Sequence, residues 1–206
     1  YLNGAEIARH TGGYLPFYVN LSNDLEYGRE NEIMVKLDNR ENPHIPPGKP
    51  LGELDFLWYS GLYRNVSLYV TDKLHITAPP EYQSTLGGGI ITGVRDVSRE
   101  SATLTLSVHV SNDDHIPRSF RMKNTLLDAA GLEVASSLSE LIDMEPGQSQ
   151  RLETRMIVMQ PSLWTPATPF LYTISTELLS ESSTVIDHRE TRTGIRTVRI
   201  TPDKGL

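Results

Sequence analysis

Two-residue alternation of apolar and polar side chains recurs along this chain, and helical periodicity is nearly absent. Residues 103–110 read Thr-Leu-Thr-Leu-Ser-Val-His-Val, which puts Leu104, Leu106, Val108 and Val110 on one face. Successive side chains on a strand point to opposite faces, so the pattern predicts a half-buried strand with its polar face in water. Residues 151–158 align Leu152, Thr154, Met156 and Val158 in the same way, and residues 172–178 align Tyr172, Ile174, Thr176 and Leu178. A fourth run, 65–71, aligns Val66, Leu68 and Val70, and further strands are expected over 33–37 and 74–77. Turn residues separate these runs, as in Asp128-Ala129-Ala130-Gly131 and Glu145-Pro146-Gly147. Glycine supplies positive φ and proline presets a turn dihedral, so both mark chain reversals. Short strands punctuated in this way predict β-sandwiches.

The pair Pro79-Pro80 marks the expected boundary between two modules, 1–77 and 78–200, with 201–206 beginning a linker. The second module has the length and strand spacing of an immunoglobulin-like sandwich. It has no cysteine, so apolar packing must hold its two sheets together. The first module offers one strand, a Pro/Gly-rich loop over 39–52 and a strand pair, too few to close a sandwich. The chain also opens on Tyr1-Leu2-Asn3-Gly4, which reads as the middle of a hairpin. An upstream part of the first sandwich is therefore expected.

Charge narrows the partners. The formal net charge is −7, and neither module carries the basic stripe that nucleic-acid phosphate demands. Apolar runs such as 156–159 are far too short to span a bilayer. The absence of cysteine excludes disulfides and thiolate metal sites, and leaves cytoplasm and export equally open.

Several motifs invite a chemical reading and are read more simply. Ser111-Asn112-Asp113-Asp114-His115 offers metal-type ligands, but turns favour these same residues. Gly87-Gly88-Gly89 is followed by no Lys-Ser/Thr and opens no helix, so it predicts a bulge or strand edge and not a phosphate loop. Ser60 and His44 lack any nucleophile-elbow context. The sequons Asn20-Leu21-Ser22 and Asn65-Val66-Ser67 carry no function by themselves. No metal, cofactor or catalytic residue is assigned to this chain.

The segment 55–68 is different. It places Asp55 among Phe56, Trp58, Tyr59 and Tyr63, just after the Pro/Gly-rich loop. Aromatic rings stack on the C–H face of a sugar while a carboxylate accepts bonds from its hydroxyls. Taken alone, the segment is read more simply as core aromatics beside an exposed turn aspartate.

The motifs along the chain, in order, resemble glycoside hydrolase family 2, the bacterial β-galactosidases, β-glucuronidases and β-mannosidases. Leu2-Asn3-Gly4, His10-Thr11-Gly12-Gly13-Tyr14-Leu15-Pro16-Phe17, Gly28-Arg29-Glu30-Asn31 and Val35-Lys36-Leu37-Asp38-Asn39 are similar to the family's first sandwich. Asp55-Phe56, Tyr59 and Gly61-Leu62-Tyr63-Arg64-Asn65-Val66 match its closing motif. Further on, 126–131, Pro161-Ser162-Leu163-Trp164, Pro169-Phe170-Leu171-Tyr172 and Thr193-Gly194-Ile195-Arg196 resemble its immunoglobulin-like domain and the link that follows.

The resemblance implies an all-β fold, a partial jelly-roll (galactose-binding-like) sandwich followed by an immunoglobulin-like sandwich. It also implies a parent enzyme that is a retaining, β-galactosidase-like glycosidase acting on terminal β-glycosides. Such enzymes use two carboxylates about 5 Å apart as nucleophile and acid/base. In this family both are glutamates of a (β/α)₈ barrel, expected beyond Leu206, so the fragment alone is expected to be inactive. One functional residue carries over, Asp55, which would reach the sugar site, with Trp58 and Tyr59 shaping the pocket or packing against the barrel. His10, Gly13, Tyr14, Pro16, Phe17 and Arg64 are assigned to the fold. The implied partners are the β-glycoside and the barrel in cis, with no nucleic acid and no membrane. A homo-oligomer of the parent, a free-standing carbohydrate-binding module and a structural spacer stay open.

Overall fold

The computed structural model describes residues 1–206 except 47, 58–60, 83–84, 199–200 and 204–206. They fall into two compact units, Tyr1–Tyr69 and Val70–Leu206. The division precedes the double proline because residues 74–76 pair with the second unit.

Among the described residues of that unit, nine strands form two antiparallel sheets: β1 (Leu74–Ile76), β2 (Ile90–Arg95), β3 (Ser101–Asn112), β4 (Arg118–Leu127), β5 (Glu133–Leu138), β6 (Ile142–Met144), β7 (Ser149–Met159), β8 (Tyr172–Leu179) and β9 (Val185–Thr193). In the first sheet β3 is central, with β1 and β2 end to end along one edge and β7 along the other. The second runs β5-β4-β8-β9, with β6 continuing the edge beyond β5. This is the two-layer arrangement of an immunoglobulin-like sandwich.

The alternation read from residues 103–110 is realised. Leu104, Leu106, Val108 and Val110 are fully buried, facing Phe120, Met122, Leu126, Ile174 and Leu178 of the other sheet. Each such side chain contributes about 1.5–3 kcal/mol relative to leaving it in water, which replaces the cross-link a disulfide would supply. On β8, Tyr172, Ile174, Thr176 and Leu178 alternate inward as expected; on β7 the burial deepens toward Met156 and Val158.

Two buried asparagines interrupt this apolar layer and are satisfied. Asn124 accepts from the Thr176 hydroxyl at 2.8 Å and donates to Ser137. Asn112 donates to the carbonyls of Ile116, Met144 and Glu145, pinning the ends of two turns together. The expected turns form: Asp128 accepts the amides of Ala130 and Leu132 through Oδ1, and Gly131 takes φ +80°.

The first unit is built differently. Asn3 and Gly4 both take positive φ, and Leu2 and Ala5 exchange hydrogen bonds of 2.8 and 2.9 Å, a two-residue hairpin turn. Leu2 also bridges Ile33. The strands expected over 33–37 and 65–71 are not formed, beyond that single bridge at Ile33. A strand exists only when a neighbour supplies its ladder, and here the pairing stops at the bonds between residues 1–3 and 32–34. A short 3₁₀ turn, Leu51–Glu53, stands just before Asp55. Among the described residues, no helix is long and apolar enough to cross a membrane.

Candidate functional site

Asp55 lies in an exposed bend, two residues past the 3₁₀ turn that Pro50 opens. Its carboxylate has no hydrogen-bond or ion-pair partner among the described residues, so its full acceptor capacity faces outward. Phe56 beside it is about half exposed. Trp58 and Tyr59, the other two residues expected near a sugar, lie outside the described residues, as does Ser60.

The sequence motifs of the first unit do meet in space. The Tyr63 hydroxyl donates to the Gly13 carbonyl at 2.7 Å, tying the segment after Asp55 to the 10–17 loop. In that loop His10 stacks on Phe17 at 4.8 Å, and the Arg64 guanidinium lies 5.6 Å from the Tyr63 ring centre. Asn31 accepts from the Asn3 side chain at 2.9 Å and also donates to the carbonyls of Glu26 and Arg29. The Leu2-Asn3-Gly4 and Gly28…Asn31 motifs thus form one bonded turn pair.

The other weighed motifs take structural roles. In the 111–115 segment Ser111 donates to Asp113, the Asp114 amide to Asn112, and the His115 amide to Asp114. The His115 amide, helped by Arg118 donating at 3.0 Å and Lys73 at 3.4 Å, holds the Asp114 carboxyl below the usual range. The triglycine is a close-approach site. A methyl on Gly88 would stand 2.5 Å from both the Ala78 carbonyl oxygen and Thr77 Oγ1, so only glycine lets this strand edge run against residues 77–79.

One cluster was not foreseen. His75 on β1 is buried, with Nε2 2.9 Å from Glu81 Oε1 and Nδ1 3.3 Å from the Lys73 carbonyl. Both ring nitrogens face acceptors, so both bonds form only on the imidazolium. Burial opposes that charge, but the Glu81 hydrogen bond and charge, the Lys73 carbonyl and Asp113 outweigh it and raise the His75 pKa. Glu81 is held low: burial works against its charge, and the bonds from His75 and the Ala78 amide prevail. Asp113 brings a third ligand-type atom, all three within 4.8 Å of one another. Nearby, His109 bonds Thr77 Oγ1 at 3.0 Å and stacks on Tyr82 at 4.0 Å. Burial and the Arg151 charge push its pKa down. These histidines rigidify the entry to the second unit, and Glu81, with both oxygens bonded, is committed to that task.

Comparison with known proteins gives a consistent picture. The family model described as glycosyl hydrolases family 2 matches residues 90–196. A β-glucuronidase of Formosa agariphila is 30% identical over all of this chain, which spans 21% of that protein. A β-galactosidase of Thermoanaerobacter pseudethanolicus is 29% identical over 98% of the chain, here 25% of the relative. Among solved structures, a Bacteroides uniformis β-glucuronidase superimposes with a TM-score of 0.80 and 26% identity, covering 97% of this chain and 23% of its own. The chain therefore spans about a quarter of the length of the relatives it matches.

Proposed function

This chain belongs to glycosyl hydrolases family 2, and from that membership we propose that it is the non-catalytic β-sandwich region of a retaining, β-galactosidase-like enzyme. The supporting observation is the coverage: 98–100% of the chain aligns with about a quarter of each of two full-length glycosidases. The first unit is the end of a sugar-binding jelly roll, and the second is a spacer that holds it against a barrel carried elsewhere in the enzyme. The two glutamates of that barrel act as nucleophile and acid/base through a glycosyl intermediate. Asp55 supplies a charged acceptor for a hydroxyl of the sugar being cleaved, and Trp58 and Tyr59 shape that pocket or pack against the barrel. Its exposure and unused oxygens suit a carboxylate that finds its partners on a ligand.

A panel of aryl β-galactosides, β-glucuronides and β-mannosides, offered to the full gene product and to residues 1–206, tests this. Turnover is expected only from the full product, and with the galactoside. A glucuronide-only result overturns the sugar assignment, and turnover by residues 1–206 overturns the non-catalytic role. In the active enzyme, Asp55→Ala should lower kcat/KM at least about tenfold, from the loss of about 1.5–3 kcal/mol of charge-assisted hydrogen bonding. Unchanged kcat/KM would remove Asp55 from the site.

A further inference from the structure

The outer face of the first sheet carries a cleft that the packing of the sandwich does not use. On that face Gly93 of β2 stands beside Thr105 of β3, which stands beside Arg155 of β7; Arg95, Thr103 and Ile157 form the next row. Leu104 and Leu106 point into the core, so Thr103, Thr105 and their row partners face outward. Arg95, Thr105, Glu153, Thr154 and Arg155 line a cleft of about 470 Å³ there. Gly93 keeps its floor open. A methyl at that position would stand 2.7 Å from Thr105 Oγ1, and the Thr105 hydroxyl instead donates to the Gly93 carbonyl at 3.2 Å. Both arginines are exposed, and neither guanidinium has a hydrogen-bond or ion-pair partner among the described residues. Glu153 lines the same cleft, but it accepts from the Ser107 hydroxyl at 2.5 Å and pairs with neither arginine.

Like charges on neighbouring rows of a sheet oppose its stability. Two unpaired cations on one cleft of a chain with net charge −7 therefore have a use only toward a ligand. From strand spacing and rise, their Cα atoms stand about 12 Å apart, so an oxyanion seated between them meets both guanidinium forks. We infer that this cleft is a binding site for an acidic saccharide, whose carboxylate or sulfate group is held between Arg95 and Arg155. The volume lies within the range of small-molecule sites, about 300–1,000 Å³, whereas a docked protein needs a far broader face. The surroundings suit a sugar ring. Ile157, 66% exposed in the Arg95 row, offers an apolar edge to its C–H groups, and Glu153 keeps lone pairs for its hydroxyls. That a saccharide carries the anion rests on the glycosidase reading above; the cleft itself lies wholly in the second unit.

Isothermal titration calorimetry on the full gene product at low salt tests the site. The probes are an oligogalacturonate, a sulfated galacto-oligosaccharide, its neutral counterpart, inorganic sulfate and an oligoglutamate. The readout is the binding that depends on the two arginines, which separates the cleft from sugar held at a catalytic centre. At least one acidic saccharide is expected to bind, about threefold more weakly to Arg95→Gln or Arg155→Gln and at least about tenfold more weakly to the double variant. Added salt should weaken it, because exposed charges are screened. The neutral oligosaccharide, the melting temperature and turnover of an aryl glycoside should be unchanged in all three variants. Acidic saccharides that bind the double variant as tightly as wild type, or that bind neither, overturn the site. Equal arginine-dependent affinity for inorganic sulfate or for oligoglutamate overturns the saccharide in favour of a bare anion or an acidic protein segment. Turnover without arginine-dependent binding overturns the cleft alone. Such binding without turnover of any glycoside upholds the cleft while the glycosidase reading fails.

Discussion

Leu104, Leu106, Val108 and Val110 in the second unit carry the same alternating pattern as Val66 and Leu68 in the first, and their fates are opposite. The four are fully buried, whereas Val66 and Leu68 are 74% and 72% exposed. The difference lies in the backbone. β3 exchanges ladder bonds with β1, β2 and β7, so its apolar face is held flat against Phe120 and Ile174. Residues 65–68 form no strand. Alternation states which face would be buried; a partner strand decides whether it is.

The strongest test of that contrast removes one large side chain from each unit. Phe120→Ala should cost about 3–5 kcal/mol in denaturant unfolding, through lost transfer energy and an unfilled cavity. Leu68→Ala should stay within about 0.5 kcal/mol, as surface substitutions do. Equal costs would mean that the 65–70 segment is packed in solution and would break the comparison.

A smaller effect separates the glycines. Gly88→Ala forces a methyl against the Ala78 carbonyl and Thr77 Oγ1, and should destabilise the second unit by about 1–3 kcal/mol. Gly13 has open space where its Cβ would stand, so Gly13→Ala should leave the melting temperature unchanged. A silent Gly88→Ala would show that the 77–79 segment can move aside.

The finest contrast is electrostatic. The folded pKa of His75 is raised above its ordinary 6.5, so its contribution is complete below that value and is lost as pH rises through the folded one. Glu81, lowered from 4.5, contributes above that value and loses its part as pH falls through the folded pKa. His109 has the opposite sign to His75: its folded pKa lies below 6.5, so stability rises with pH from that folded value up to 6.5. Melting temperatures of wild type should therefore decline on the alkaline side of pH 6.5, and His75→Gln should flatten that decline. In the first unit Asp38 is lowered to about 2 by Arg40, but both are fully exposed, where water screens the pair. Arg40→Ala should move the Asp38 titration toward 3.8 by NMR and leave the melting temperature where it was. An unchanged alkaline limb in His75→Gln would refute the clasp.

Much of the second unit was legible because its signals are local and agree with one another. Inward alternation at 103–110 and 172–178, the Asp128–Gly131 turn and the Glu145–Gly147 turn each became what their residue types favour. The 111–115 segment proved a turn for the same reason. The proposed role of Asp55 rests on the resemblance alone, since an exposed aspartate after a 3₁₀ turn has no geometry of its own that names a sugar. The His75–Glu81 clasp was not legible, because a buried histidine is recognised by its partners. Here those are a carbonyl two residues back and a carboxylate six residues on, folded over β1 by the double proline.

What the sequence determined by itself was the period of each segment, the places where it must turn, and the sign of its charge. Those depend on side-chain direction and φ preferences within a few residues. The tertiary structure alone decided which alternating segments became strands. Ladder bonds lie in the sheet plane and come from residues far away in the chain, as Leu104 finds Met156 and Leu126 finds Ile174. It also decided which polar groups are held where charge matters, because desolvation and pairing arise only once distant segments close over a side chain.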